Sequence, residues 1–550
     1  MKSRRQIKEA ASAQVSSSAF IPFANHIAPN VLKLRRCGDL VATWRLAGIG
    51  FETQDEEAIS AAKNGLVNLL RSLGGGQWAV WSHKVRRRVR ERLAGGGSNP
   101  FAARLTNEYY ASFDRHRQMR TELFVTIVYR PGVGQMPNLF GRMFGAGRRS
   151  IEDIAAADRQ AMDELEDAAN MVERALEPYR PERLTCYPRA GHTYSELLQF
   201  YGYLVNGIWE EVPMRRAGIE TYLPSSRLHF GNSNGRLQLI HPAGQRFVGF
   251  LDIQDYPRWT ESGIGNAILY SDYEYIETQS FSLLNRRDAQ SALERQRGHM
   301  QAAEDASATE IAEITGALDD LVSGQIEVGE YHYSLAVMTE TPEALTKSMA
   351  DARAVLQDQA GFKVSPIDVI PEAAWFAQLP GNWDLRPREA KLTSRNFAGL
   401  SPFHNFESGK RDGNPWGEAV ALFQTPSAQP YYFNFHVSPA HRNSVGEALP
   451  GNTFICGATG AGKTVLQTSL VAFSLKYPGL RAVCFDKDRG MEIGIRALGG
   501  VYRALERGRP TGFNPFQLDP TEENIQFVER LMRLLIGEAP TAREENEISH

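Results

Sequence analysis

Gly457-Ala458-Thr459-Gly460-Ala461-Gly462-Lys463-Thr464 is the stretch on which the reading of this chain turns. It matches G-x-x-x-x-G-K-[ST], the glycine loop that cradles phosphate groups. Ahead of it, Asn452-Thr453-Phe454-Ile455-Cys456 is a short apolar run that reads as a buried strand. Behind it, Val465, Leu466, Leu470, Val471 and Phe473 recur at helical spacing up to a stop at Pro478-Gly479. Strand, glycine loop and helix stand in the order that phosphate binding needs.

A triphosphate ligand accounts for each residue type. Glycines at 457, 460 and 462 let the backbone take positive φ and approach phosphate oxygens without a Cβ in the way. Ala458, Thr459 and Ala461 fill the variable positions of the same loop. The N–H groups of 460 to 464 are expected to point inward at the helix start, where unpaired donors and the dipole favour negative charge. Lys463 supplies a positive charge for the β- and γ-phosphates, and the Thr464 hydroxyl is offered to Mg2+. The expected cofactors are ATP and Mg2+, with Lys463 and Thr464 as the catalytic pair and Thr464 as the metal ligand. A glycine-rich turn with an exposed lysine would leave the coincidence of three glycines, a lysine and a hydroxyl unexplained.

A chain of 550 residues is too long for one core and predicts two to four domains. Apolar residues make up 42% and charged residues 23%, the balance of a globular protein. The formal net charge of −3 gives no support to non-specific nucleic-acid binding as a main activity. Cys37, Cys186, Cys456 and Cys484 lack metal-ligand spacing, so a zinc site is not indicated and a reducing, cytoplasmic setting is expected. No window holds 18 consecutive apolar residues, and residues 1–18 have no apolar core of a secretory signal. Any membrane contact is expected from the surface or through a partner.

Three regions follow in order. Residues 1–180 read as an α/β part: a hairpin about Cys37-Gly38-Asp39, a helix over 55–73, a strand from Trp78, a strand over 121–129 and a helix over 151–177 opened by a Ser150/Asp153 capping box. Its basic run, 83–92, reads as a solvated helix face or strand-end cluster, or as a contact for anionic lipid or an acidic partner, with nucleic acid third. The glycine-rich segment 131–149, with Leu139, Phe140, Met143 and Phe144 before Arg148-Arg149, reads as a docking insertion or a packed loop. Residues 181–425 read as a second α/β part with a helix over 192–204, strands over 247–253 and 331–338, a helical connector over 285–322 and a helix over 341–359. From 426 onward a strand over 431–436 precedes the glycine loop. Its His436 is either structural or near the nucleotide base. Arg481 to Asp486 reads as a second buried strand of a parallel βαβ unit, followed by a helix over 521–536.

Taken together, Pro415-Trp416-Gly417, Tyr431 to His436, Gly457 to Thr464, Phe485-Asp486-Lys487-Asp488-Arg489-Gly490 and Asn514-Pro515-Phe516 resemble the CagE/TrbE/VirB family of type IV secretion ATPases, in particular the VirB-four type. Ile21-Pro22-Phe23, Gly38-Asp39 and Arg45-Leu46-Ala47-Gly48 extend the resemblance to the N-terminal part. The resemblance implies an N-terminal α+β region docked at the cytoplasmic face of the bacterial inner membrane, followed by a RecA-like P-loop ATPase domain. It also implies a homo-oligomer, a hexamer or trimer of dimers. The implied partners are a small inner-membrane channel subunit, inner-membrane core subunits and other secretion ATPases. The implied work is pilus biogenesis and substrate transfer in conjugation or export. The nucleotide role carries over to Gly457, Gly460, Gly462, Lys463 and Thr464. Asp486 ends an apolar run as a Walker B acid does, but it lies on the very next strand, so a strand cap or subunit-edge contact is the preferred reading. No Walker B acid, catalytic glutamate or trans arginine can be assigned, so the motor domain reads as incomplete, able to bind ATP and lacking visible parts for its hydrolysis. Two other functions compete: an inner-membrane scaffold indifferent to nucleotide, and a DNA-pumping motor of the FtsK/HerA kind, which would need a basic pore loop.

Overall fold

The computed structural model describes residues 15–549 other than 36, 53, 96, 98, 116, 134–150, 232–234, 258, 303–307, 441, 507 and 538–540. Ser150 and nearly all of the 131–149 segment therefore lie outside the described residues. The chain divides into two compact units, one of residues 1–94 and 108–453, the other of 95–107 and 454–550.

The larger unit is built on one antiparallel sheet that draws strands from both sides of residue 180. From edge to edge it runs Phe23–Ala28, Val31–Leu34, Leu40–Leu46, Gln118–Tyr129, Trp78–Val89, Glu274–Leu283, Val328–Thr339, Gly244–Asp255, Leu237–His241 and Arg227–Phe230. Three short strands, Pro181–Arg183, Lys363–Pro366 and Ala390–Thr393, pair off this path. The Trp78–Val89 strand is central: it pairs with Gln118–Tyr129 on one side and Glu274–Leu283 on the other.

Side chains alternate across a strand, and here both faces are covered. On one face Trp44, Leu46, Val80, Val125 and Ile127 pack with Leu66 and Leu70 of helix Glu56–Ser72 and with Leu165 and Val172 of helix Ile151–Ala175. On the other, Trp81, Phe124 and Phe250 pack with Phe200, Tyr201 and Leu204 of helix Glu196–Asn206 and with Trp375. Two-sided burial explains why Leu40–Leu46 and the 123–129 part of its neighbour read as nearly continuous apolar runs. The 285–322 connector is a pair of contacting helices, Arg286–Ala302 and Ala308–Val322, with a small core of Ala289, Leu293, Leu318 and Leu321.

Three local readings change. His192–Ser195 is a strand paired with Cys186–Arg189, and the helix begins only at Glu196, capped by the Ser195 hydroxyl on the Leu198 N–H. Of the two structural readings of the basic run, the strand-end cluster holds and the helix face does not: residues 83–89 continue the central strand. His83 and Arg86 are fully buried, and Lys84, Arg87 and Arg88 meet Glu277, Glu122 and Glu340, each at 2.8 Å. Strand pairing brings acids from distant sequence to Lys84, Arg87 and Arg88, while Arg90 and Arg92, past the strand end, are exposed. The third change concerns the second unit. Neither Asn452–Cys456 nor Arg481–Asp486 forms a paired strand, and Phe454 and Phe485 are 89% and 98% exposed. A central parallel strand needs ladder neighbours on both sides and helices over both faces. Among the described residues these two segments have no ladder partner. The chain is thus a mixed α and β protein dominated by an antiparallel sheet.

Candidate functional site

The glycine loop leads into helix Lys463–Ser474, anchored by buried Leu470, Ala472 and Phe473. Gly462 occupies the N-cap with φ 91° and no side-chain cap, and Gly460 has φ 84°. Positive φ at these two positions turns the chain into the helix, and a Cβ at either would meet nothing, so the hollow of the loop is open. Gly457 differs from expectation: it lies outside the positive-φ set, and a Cβ there would make only ordinary contacts with Ala461 and Lys463. Its role is proximity to the lysine stem rather than a left-handed turn.

The donors are arranged as follows. The Ala461 N–H is spent inside the loop on the Ala458 carbonyl at 3.2 Å, which removes it from the inward-facing set expected over 460–464. The first intrahelical bond runs from the Leu466 N–H to the Gly462 carbonyl at 2.9 Å. The N–H groups of Lys463, Thr464 and Val465 precede it, at the positive end of the helix dipole. Lys463 Nζ donates to the carbonyls of Gly457 at 2.8 Å and Ala458 at 2.9 Å, holding the ammonium across the loop mouth. Open hollow, uncapped helix start and poised lysine together fit a polyphosphate with its metal ion.

Thr464 has a neighbour that the motif alone does not announce. A Cβ on Gly490 would come to 3.1 Å from Thr464 Cγ2, so the backbone after Asp486 passes close to the proposed metal ligand. The lone glycine ending Asp486-Lys487-Asp488-Arg489-Gly490 was the available signal for that approach. Asp486 itself accepts from the Met491 N–H at 2.9 Å and the Tyr502 hydroxyl at 3.1 Å. The Met491 N–H, first among several donors, holds its carboxyl below the ordinary range. Asp486 therefore ties down the turn before helix Glu492–Ala497 and caps no strand. A second contribution escaped sequence reading altogether. Residues 95–107 belong to this unit, and the Asn99 side-chain amide donates to the Leu498 carbonyl at 2.8 Å. His436 lies in the larger unit with its ring edge-on to Trp416 at 4.9 Å and its Nε2 against Gly451, a packed position.

Among the described residues no cluster of His, Cys, Asp and Glu could hold a metal ion by itself, and no helix is long and apolar enough to cross a membrane. The four cysteines are free; Cys456 is exposed and Cys484 half-buried.

Comparison with known proteins gives the relatives. Residues 182–388 match the model of the CagE, TrbE, VirB family, component of type IV transporter system. Residues 32–136 match that of the type IV secretion system ATPase VirB4/TrbE, N-terminal domain. The type IV secretion system protein virB4 of Brucella melitensis is 42% identical over 97% of this chain and 65% of its own length. Protein PtlC of Bordetella pertussis is 38% identical over 94% of this chain and 63% of its own. The virB4 protein of Bartonella quintana is 35% identical over 96% of this chain and 66% of its own. The chain thus spans just under two thirds of the length of these relatives. On these matches the chain belongs to the CagE/TrbE/VirB family of type IV transporter components, among relatives of the VirB4 kind.

Proposed function

We propose that this chain binds Mg-ATP through Gly457–Thr464 and that the protein energises type IV secretion or conjugation from the cytoplasmic face of the bacterial inner membrane. The observation that carries the reading is the uncapped start of helix Lys463–Ser474 behind two left-handed glycines, with Lys463 Nζ held across its mouth. In this reading Lys463 exchanges the two loop carbonyls for β- and γ-phosphate oxygens. The N–H groups of Lys463, Thr464 and Val465 bind phosphate oxygens, and Thr464 orients the metal through its hydroxyl. Mg2+ neutralises charge on the phosphates and orients them for displacement. The unit that holds the loop is read as RecA-like, working as a hexamer or trimer of dimers. The channel subunit, core subunits and sister ATPases are its partners. As a functional division of the chain we keep a docking part up to residue 180, a second part to 425 and a nucleotide part from 426.

The test is Mg2+-dependent binding of a fluorescent ATP analogue. Lys463→Ala should weaken it at least about tenfold, hydrogen bonds to charged groups being the stronger kind. In a secretion-competent setting it should stop ATP turnover and transfer. Undiminished binding by the variant would overturn the reading.

A further inference from the structure

The larger unit holds a second concentration of positive charge. Past Val89 and Gln118, the last pair of the central ladder, a cavity of about 1030 Å³ is lined by Arg88, Arg90, Arg92, Arg117, Arg246 and Arg411. Among the described residues the acids lining it with them are Glu91 and Glu340, so arginine predominates in the wall. In a protein whose net charge is −3 this is a local reversal of sign.

The two acids are already divided among several arginines. Glu91 takes Arg411 at 2.9 Å and Arg120 at 2.8 Å. Glu340 takes Arg88 at 2.8 Å, with Arg246 at 3.7 Å. Arg246 also meets Glu274 at 3.4 Å and Arg411 meets Asp412 at 3.6 Å, so these bridges fix the guanidinium forks in place. Arg90 and Arg117 are exposed and form no ion pair among the described residues; Arg117 only reaches the Asp272 carbonyl at 3.5 Å. Arginines crowded this way repel one another, and a cavity wall concentrates their field. The planar fork matches two phosphate oxygens at once, which a lysine cluster would not. The volume exceeds what a single phosphate needs and suits a ligand of nucleotide or headgroup size.

We propose that this cavity binds an anion carrying two or more phosphate groups, held by the exposed Arg90 and Arg117 together with the pre-set forks of Arg88, Arg246 and Arg411. All these residues belong to the larger unit and none to the glycine loop, so the proposal stands or falls apart from the nucleotide reading. The ligand chemistry has two possible sources: a soluble polyphosphate, or the headgroup of a diphosphate lipid.

The probe is inorganic tripolyphosphate, titrated calorimetrically into the full chain carrying Lys463→Ala, which silences the glycine loop. Binding that weakens with salt is expected. Adding Arg90→Gln and Arg117→Gln should reduce it at least about tenfold. The thermal midpoint should stay in place, because both side chains are exposed and neither forms an ion pair among the described residues. No binding, or equal binding by the substituted chain, overturns the proposal. Cosedimentation with phosphatidylcholine vesicles containing cardiolipin, competed by tripolyphosphate, assigns the lipid source. Tripolyphosphate binding without competed cosedimentation assigns the soluble one.

Discussion

In the larger unit Trp44, Trp81 and Trp375 are among the most deeply buried side chains of the molecule, while in the P-loop unit Phe454, Val483 and Phe485 stand almost wholly exposed. Both sets come from segments of similar apolar character. The larger unit closes its apolar faces because every long strand finds a ladder partner and a helix cover. Among the described residues of the P-loop unit stand a glycine turn, a helix and a capped loop. A binding loop and a core thus answer to different physics. The first depends on backbone dihedrals over eight residues, the second on pairings between segments hundreds of residues apart.

The contrast can be broken at its strongest point by Trp375→Ala. This ring is fully buried in the second core and its N–H donates to the Val205 carbonyl at 3.2 Å. Removing it should cost about 3–5 kcal/mol in denaturant unfolding of the larger unit. A loss near zero would mean that the core is loosely packed. Next comes Lys84→Ala, which strips the nearly buried Glu277 of a partner at 2.8 Å. Leaving that carboxylate uncompensated should cost about 3 kcal/mol, read from the same unfolding curves.

A pH experiment sharpens the comparison further. Burial pushes the Asp252 carboxyl up from 3.8 to about 7, against the opposing pull of Arg388. The folded state therefore favours the neutral acid. Its contribution to stability is complete below about pH 4 and is lost as the pH climbs through 7. The buried rings of His83, pulled down to about 4, and His332, to about 3, run the other way: their contribution is complete above about 6.5 and is lost on acidification. Subtracting the melting curve of Asp252→Asn from that of the parent cancels the histidines. The difference should decline between pH 4 and pH 7, and a flat difference would place the carboxylate in a wetter site. The smallest effect belongs to the P-loop unit. Phe485→Ala, at 98% exposure, should change stability by less than about 0.5 kcal/mol, and a loss of core size would show that another surface covers that ring.

How much could be read without coordinates follows the same division. The loop over 457–464 and its helix were legible because their information is local, and so were the hairpin over 31–46 and the helix over 341–359. The strand at 192–195 was absorbed into a helix because its neighbour Cys186–Arg189 carries little periodic signal. The basic run could be read as a strand-end cluster but not with its partners: Glu122, Glu277 and Glu340 come from distant segments, and nothing within a short window names them. The two apolar runs flanking the loop read as strands on composition alone, yet a strand is defined by what lies beside it. The place of residues 95–107 in the P-loop unit left no local mark at all.

The central position of Trp78–Val89 has a consequence for biosynthesis. Its partner Glu274–Leu283 emerges from the ribosome long after it, and with elongation at about 5–20 residues per second the wait is on the order of ten seconds or more. Throughout that interval one hydrogen-bonding rim of a long nascent strand, apolar over its first four residues, stays open to stray neighbours. A holding chaperone, or slow local translation ahead of residue 274, would decide the yield of native protein more than any single contact in the finished molecule.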